Sequence, residues 1–264
     1  MRKLSWLALL CVLCTEAMSA PAPSAGKKVP QPRRLVARVV QEYPHATDAF
    51  TQGLVFHQGS LFESTGRQGS LRRLSLERAE PTWIQQIQGT FPEGLASDGK
   101  RLLQLTWKDQ ELLTWTGSPP IRQPTLRYRG EGWGLCYRKG LFVRSDGSTT
   151  LRLHEPGNFR EVATLEVTLG GTPQLRAQLN ELECTEDAIY ANIWHSSDIY
   201  QIDPGSGAVV AVIDASELSR RVAPALEDSE AVLNGIAIEP GTGRIFLTGK
   251  YWPTLFEVRF EPVP

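Results

Sequence analysis

Gln52-Gly53-Leu54, Glu93-Gly94-Leu95, Trp133-Gly134-Leu135, Asn180-Glu181-Leu182 and Asn234-Gly235-Ile236 are five versions of one phrase: a polar or aromatic residue, then Gly or Glu, then Leu or Ile. Their first residues stand 41, 40, 47 and 54 positions apart, the period of blades in a β-propeller. The frame is kept while the first residue changes chemistry from copy to copy. A variable position on a repeated frame is how a site is grafted onto a symmetric scaffold.

The segments around each phrase read as strands rich in β-branched, aromatic and leucine residues. If the phrase opens strand A, a strand B follows at 61–65, 102–106, 141–145, 189–193 and 245–249, aligned without gaps. Strand C comes next at 71–76, 112–116, 151–155, 199–203 and 255–260. Turns such as Asp203-Pro204-Gly205-Ser206-Gly207 supply glycine where positive φ is needed. A strand D is visible in four copies, at 83–88, 125–129, 162–168 and 208–213, but the fifth copy ends at Pro264 without one. An unassigned β run at 35–43 can supply it, closing the ring and covering an open edge. Only 215–221 reads as helix. The expected fold is all-β: a five-bladed β-propeller, one domain over 35–264, its last blade closed by an N-terminal strand.

The chain of 264 residues carries 28 basic and 29 acidic side chains, a balance that points to no polyanionic partner such as nucleic acid. Residues 1–20 read as a secretory signal: Arg2 and Lys3, an apolar run to Cys14, then small residues with cleavage after Ser19 or Ala20. No later stretch approaches the roughly 20 apolar residues of a membrane helix. Residues 21–34, rich in Pro, Ala and basic residues, read as a disordered leader. A secreted or periplasmic, monomeric protein without membrane contact is expected. Cys136 and Cys184 are the cysteines left after cleavage, and an oxidising compartment could join them. They follow their phrases at opposite parity, which on strands means opposite faces, and this favours two buried thiols.

In a propeller the residue opening strand A and the residue following strand B lie at the same end of a blade. Round the ring the first position holds Gln52, Glu93, Trp133, Asn180 and Asn234, and the second Gly66, Trp107, Asp146, Trp194 and Lys250. Large aromatics at blade ends also serve packing, and Asn beside Gly also makes turn bonds. Packing alone does not call for Glu, Lys, Asn and Trp round one opening, whereas a small-ligand pocket has aromatic walls and a few convergent polar groups. The four histidines are scattered and no Cys/His spacing suits zinc. No Gly-x-Ser-x-Gly elbow, phosphate loop or His-Glu-x-x-His is present. Catalysis would then rest on a carboxylate. Glu93 is the better candidate, with neighbouring tryptophans to desolvate it; Asp146 also reads as a plain turn residue. Lys250 could offset a carboxylate, orient a carbonyl or cap its blade.

Nine segments in order resemble the plant and bacterial type of glutaminyl-peptide cyclotransferase (glutaminyl cyclase): Tyr43-Pro44-His45, Ala49-Phe50-Thr51-Gln52-Gly53-Leu54, Phe91-Pro92-Glu93-Gly94-Leu95, Leu105-Thr106-Trp107-Lys108, Gly132-Trp133-Gly134-Leu135, Leu179-Asn180-Glu181-Leu182-Glu183, Ala191-Asn192-Ile193-Trp194, Val232-Leu233-Asn234-Gly235-Ile236-Ala237 and Thr248-Gly249-Lys250-Tyr251-Trp252-Pro253. The resemblance runs from about Tyr43 to the C-terminus. It implies a five-bladed propeller enzyme with no cofactor and no catalytic metal, acting on peptides or proteins with an N-terminal glutamine. It implies that Glu93 is the proton-transfer residue, and that Gln52, Trp107, Trp133, Asn180, Trp194 and Lys250 bind substrate, with Phe50 beside them. Departures are mild: the two cysteines after their motifs, and the turn Gly66-Arg67-Gln68-Gly69-Ser70, which can shape the rim differently. Two other readings of the same mouth are a non-catalytic module that binds peptide N-termini and a metal-dependent, lactonase-like propeller enzyme. Metal dependence separates the last from the first two.

Overall fold

The computed structural model describes residues 31–173 and 178–263. The signal at 1–20, and the leader up to residue 30, lie outside them.

The unassigned N-terminal run forms β1 (Arg33–Pro44), which begins two residues inside the expected leader. Three antiparallel four-stranded sheets follow, each a meander in chain order. The first holds β2 (Thr51–His57), β3 (Ser60–Thr65), β4 (Ser70–Arg73) and β5 (Trp83–Gln86). The second holds β6 (Pro92–Ser97), β7 (Arg101–Thr106), β8 (Glu111–Thr116) and β9 (Ile121–Arg127). The third holds β10 (Leu135–Arg138), β11 (Leu141–Arg144), β12 (Thr150–His154) and β13 (Glu161–Glu166). A two-strand hairpin of β14 (Thr168–Leu169) and β15 (Thr172–Pro173) intervenes. Then come β16 (Leu179–Cys184), β17 (Ile189–Ile193), β18 (Asp198–Ile202), β19 (Val209–Asp214), helix α1 (Ser216–Val222), β20 (Leu233–Ile238), β21 (Ile245–Gly249) and β22 (Thr254–Pro262). With β1 these seven strands make an eight-stranded sheet in the order β16-β17-β18-β19-β1-β22-β21-β20.

The eight-stranded sheet is where the chain closes on itself. β1 runs antiparallel to β22, from Leu35 opposite Pro262 to Pro44 opposite Thr254. Its first residues also pair parallel to β19, from Arg33 opposite Ala211 to Val36 opposite Asp214. The backbone groups of β22 are therefore paired with the opposite end of the chain rather than left as an open edge.

The first strands of the sheets surround a common centre: β2 packs against β6 and β20, β10 against β6 and β16, and β16 against β20. Burial follows from this placement. β2, β6, β16 and β20 are buried along most of their length, whereas the outer strands β5, β9 and β13 are largely exposed. Apolar wedges fill the space between neighbouring sheets, for example Leu54 and Leu61 against Ala237, Phe246 and Leu255. The centre leaves no room for side chains on the phrase glycines. A Cβ on Gly94 would stand 2.5 Å from the Leu135 nitrogen, and one on Gly134 only 2.1 Å from the Asn180 carbonyl oxygen.

Cys136 and Cys184 form a disulfide, with Cα atoms 5.4 Å apart, which corrects the expectation of two buried thiols. Opposite parity separates residues within one sheet. These two cysteines lie on β10 and β16, in sheets stacked side by side, and side-by-side sheets present opposite faces to each other. Opposite parity is then what brings the two sulfurs together.

Candidate active site

Four of the five phrases interrupt a strand ladder. The register between first and second strands slips between Thr51 and Gly53, between Pro92 and Leu95, between Leu179 and Leu182, and between Leu233 and Ile236. Gln52, Glu93, Asn180 and Asn234 therefore sit in bulges, which turn a side chain out of the regular alternation. A second device brings the position after each second strand alongside. The backbone N–H groups of Gly66, Trp107, Trp194 and Lys250 donate to the carbonyls of Phe50, Phe91, Gln178 and Val232, each two residues before a phrase. The two variable positions thus meet at one end of each sheet.

Together they wall a cavity of about 360 Å³ lined by Phe50, Gln52, Arg67, Phe91, Glu93, Trp107, Trp133, Asn180, Trp194, Glu230 and Lys250. All eight residues singled out from the sequence are on this wall. Three of the ten ring positions are not. Asn234 is fully buried behind it. Gly66 makes room, since a Cβ there would meet the Phe91 ring at 2.4 Å. Asp146 belongs to its turn: it accepts from Arg152 at 2.8 Å and from the Ser148 hydroxyl at 2.5 Å. Burial would push its carboxyl up, but these partners reverse that and leave it below the usual range.

Glu93 is 4 % exposed, and its Oε1 accepts from Gln52 Nε2 at 3.0 Å. Gln52 is held from behind, its Oε1 accepting from Asn234 Nδ2 at 3.1 Å. Burial pushes the Glu93 carboxyl well above the ordinary carboxylate range, and the like charge of Glu131 adds to this. Lys250 and the Gln52 amide pull the other way without reversing it. Lys250 answers in kind: burial lowers its proton affinity, while Glu93 and Glu230 draw it back up. Its Nζ stands 4.6 Å from the centre of the Phe50 ring. A buried carboxyl with raised proton affinity beside a buried amine is an arrangement suited to proton transfer.

The aromatic walls are set edge to face. Trp133 and Trp194 meet at 5.6 Å between ring centres, and Phe91 tilts against Trp107 at 5.8 Å. Arg67 lies over the Phe50 ring at 4.7 Å and pairs with Asp228 at 2.7 Å, forming one side of the mouth.

Arg67, Phe91 and Glu230 were missed in the sequence. Phe91 had a signal, since it stands two residues before its phrase just as Phe50 does. Arg67 follows the second strand of the first sheet by two residues, and Glu230 comes from an irregular loop with no repeat position to mark it.

Among the described residues no three His, Cys, Asp or Glu side chains are grouped as a metal would require. Among the same residues no helix is long and apolar enough to cross a membrane.

The model of the glutamine cyclotransferase family matches residues 7–260. A curated glutaminyl-peptide cyclotransferase from Arabidopsis thaliana is 35 % identical over 228 residues, which cover 84 % of this chain and 71 % of that protein. The crystal structure of Myxococcus xanthus glutaminyl cyclase superimposes with a TM-score of 0.86 at 61 % identity, covering 89 % of this chain and all of the other. The chain therefore belongs to the glutamine cyclotransferase family and is an enzyme of the glutaminyl-peptide cyclotransferase type.

Proposed function

We propose that this enzyme converts the N-terminal glutamine of peptides and proteins to pyroglutamate, with Glu93 as its general acid and base. The α-amine nitrogen bonds to the side-chain carboxamide carbon, the carbon–nitrogen bond of that amide breaks, and ammonia leaves. Glu93 takes a proton from the attacking amine and delivers it to the departing nitrogen, so the carboxyl ends as it began. The observation that carries this reading is the buried Glu93 on the wall of an aromatic cavity, its proton affinity raised above that of an ordinary carboxylate. A free α-amine titrates near pH 7.7–8.0, so Glu93 has only to accept a proton from a nucleophile already close to neutral.

The reaction is intramolecular, and the walls of Trp107, Trp133, Trp194 and Phe50 are suited to holding the side chain folded back on the amine. Asn180 and Lys250 orient the carboxamide, and Lys250 supplies charge where the carbonyl oxygen becomes negative. Gln52 fixes the rotamer of Glu93. No step is routed through a metal. The fold that supports this is a five-bladed propeller: three separate meanders, and an eight-stranded sheet that divides into two further meanders where β1 meets β19. A monomer exported to the periplasm or the medium completes the reading, and N-terminal sequencing of the exported protein should begin at Ala20 or Pro21. Retention of the Met1 end on exported protein would overturn that part.

Glu93→Gln should lower turnover of a Gln-initiated peptide by about 10²–10⁴-fold with an unchanged unfolding midpoint. Wild-type protein treated with a chelator should still release ammonia at full rate. Near-normal turnover by Glu93→Gln would remove Glu93 from its role, and loss of activity on chelation would favour a metal-dependent mechanism.

A further inference from the structure

Three tryptophans wall the cavity, and the indole N–H of every one is held by a glutamate at the rim. The single oxygen Oε2 of Glu131 accepts from both Trp107 Nε1 at 2.8 Å and Trp133 Nε1 at 3.0 Å. Glu230 Oε2 accepts from Trp194 Nε1 at 3.3 Å, and its other oxygen faces His195 Nε2 at 3.3 Å. An indole ring turns about two side-chain torsions, and Trp107 is 37 % exposed, so packing against Phe91 and Lys108 covers only part of it. A hydrogen bond from the ring nitrogen removes that freedom. A charged acceptor makes it stronger than a neutral one would.

Glu131 is itself fixed. It lies between two glycines in a loop whose carbonyls, those of Arg129 and Glu131, accept from the guanidinium of the buried Arg144 on β11. Gly132 leaves no space for a side chain, because a Cβ there would stand 2.2 Å from the Tyr128 hydroxyl and 3.0 Å from the Thr106 carbonyl. Its N–H closes the loop onto the Trp107 carbonyl at 3.0 Å. A rigid strut from the third sheet therefore reaches the tryptophans of both the second and the third. Nothing in a β-propeller fold requires a carboxylate at that point, and the side chain is partly exposed, so the fold does not depend on it.

We propose that Glu131 and Glu230 are positioning residues of this enzyme: rim carboxylates that lock the three tryptophan walls in the orientation that holds the folded-back glutamine. Glu131 acts on two walls at once and carries the larger share. This rests on the cyclase reading for its consequence in catalysis, but not for its consequence in ring orientation. The charge of Glu131 also reaches Glu93, whose proton affinity it raises.

The test compares Glu131→Ala, Glu131→Gln and Glu230→Ala with wild type by steady-state kinetics on a Gln-initiated peptide and by tryptophan emission of the free protein. Glu131→Ala should lose about tenfold or more in kcat/KM, as expected for two charge-assisted hydrogen bonds. Its emission should be altered and its unfolding midpoint kept. Glu230→Ala should show a smaller loss in the same direction. Glu131→Gln keeps an acceptor oxygen and should recover most of the kcat/KM lost by the alanine variant. With the negative charge gone, the acid limb of its pH profile should move to lower pH, an effect that loss of a merely structural contact would not produce. Unchanged kcat/KM and unchanged emission in Glu131→Ala would overturn the proposal, as would an acid limb that stays in place in Glu131→Gln. A wild-type protein that releases no ammonia would instead overturn the cyclase reading, and the emission arm would still decide the orientation of the rings.

Discussion

Asn234 never reaches the cavity, yet it sets the geometry around Glu93, the proposed acid and base. Its Nδ2 donates to the Thr51 carbonyl at 2.9 Å and to Gln52 Oε1 at 3.1 Å, and Gln52 Nε2 in turn donates to Glu93. An amide can point either its oxygen or its nitrogen at a neighbour. Asn234 decides the matter for Gln52, and so decides that a donor faces Glu93. Asn234→Ala should leave a buried acceptor on Gln52 unpaired, costing about 1–3 kcal/mol of stability in chemical denaturation, and should lower kcat more than it raises KM. A variant with wild-type kcat would show that Gln52 holds its orientation unaided. This chain of amides marks the limit of what could be read from the residues alone. Glu93, Gln52 and Asn180 were legible because each opens a copy of the repeated phrase. The division between residues that touch the cavity and residues that stand behind it was not, because Asn180 and Asn234 are the same residue type at the same repeat position. Their partners separate them: Asn180 lines the wall, and Asn234 is buried behind it against the Thr51 carbonyl and Gln52.

At the scale of strands, the bulge at the phrase is the element that makes a site out of a scaffold. A regular first strand would alternate its side chains between the two flanking sheets. In four of the five first strands the slip in register instead directs one residue toward the end of the sheet. The second strands were legible within a residue, since their apolar runs align without gaps. The fourth strand of the second sheet was not: it begins at Ile121 rather than 125, because an outer strand is mostly exposed and carries little apolar pattern. The cysteine pair failed for a different reason. Parity says which face a residue occupies, but the relation between two sheets decides whether those faces meet. The disulfide ties β10 to β16 across a sequence separation of 48. Replacing both cysteines with serine should therefore cost about 2–4 kcal/mol in guanidinium denaturation under non-reducing conditions. The difference from wild type should vanish when both proteins are reduced. Equal stability of the oxidised wild type and the double variant would show that the link adds nothing to the fold.

Across the whole molecule, the centre of the ring is held by carboxyl groups in an unusual place. Glu181 occupies the position where the other four phrases have glycine. Its Oε1 and Oε2 accept from the N–H groups of Leu54 at 3.3 Å and Ile236 at 2.9 Å, tying β16 to both β2 and β20. Two residues on, Glu183 accepts from Ile238 N at 2.9 Å and from Cys184 N at 3.2 Å. Burial pushes the Glu181 carboxyl well up, with the charge of Glu183 adding to it, and pushes Glu183 from 4.5 up to about 8. For a group whose proton affinity is higher folded than unfolded, the stabilising contribution is complete below the unfolded value and is lost as pH rises through the folded one. Glu183 therefore weakens the fold progressively between about pH 4.5 and 8. His45 acts in the same sense. Burial opposes its charged form, but its ring nitrogens face Glu63 at 3.0 Å and the Trp252 carbonyl at 2.7 Å, and the net effect raises its affinity for a proton. The opposite limb comes from carboxylates such as Asp48, which Arg72 holds below the usual range; their contribution is lost as pH falls. Thermal stability should therefore peak in mildly acidic buffer and decline toward pH 9. Glu183→Gln cannot ionise, but it gives up one of the two backbone bonds, at a cost of about 1 kcal/mol. Its melting temperature should lie below wild type at pH 5 and above it at pH 9, so that the two curves cross. Parallel curves would show that the centre of the ring does not carry the pH dependence.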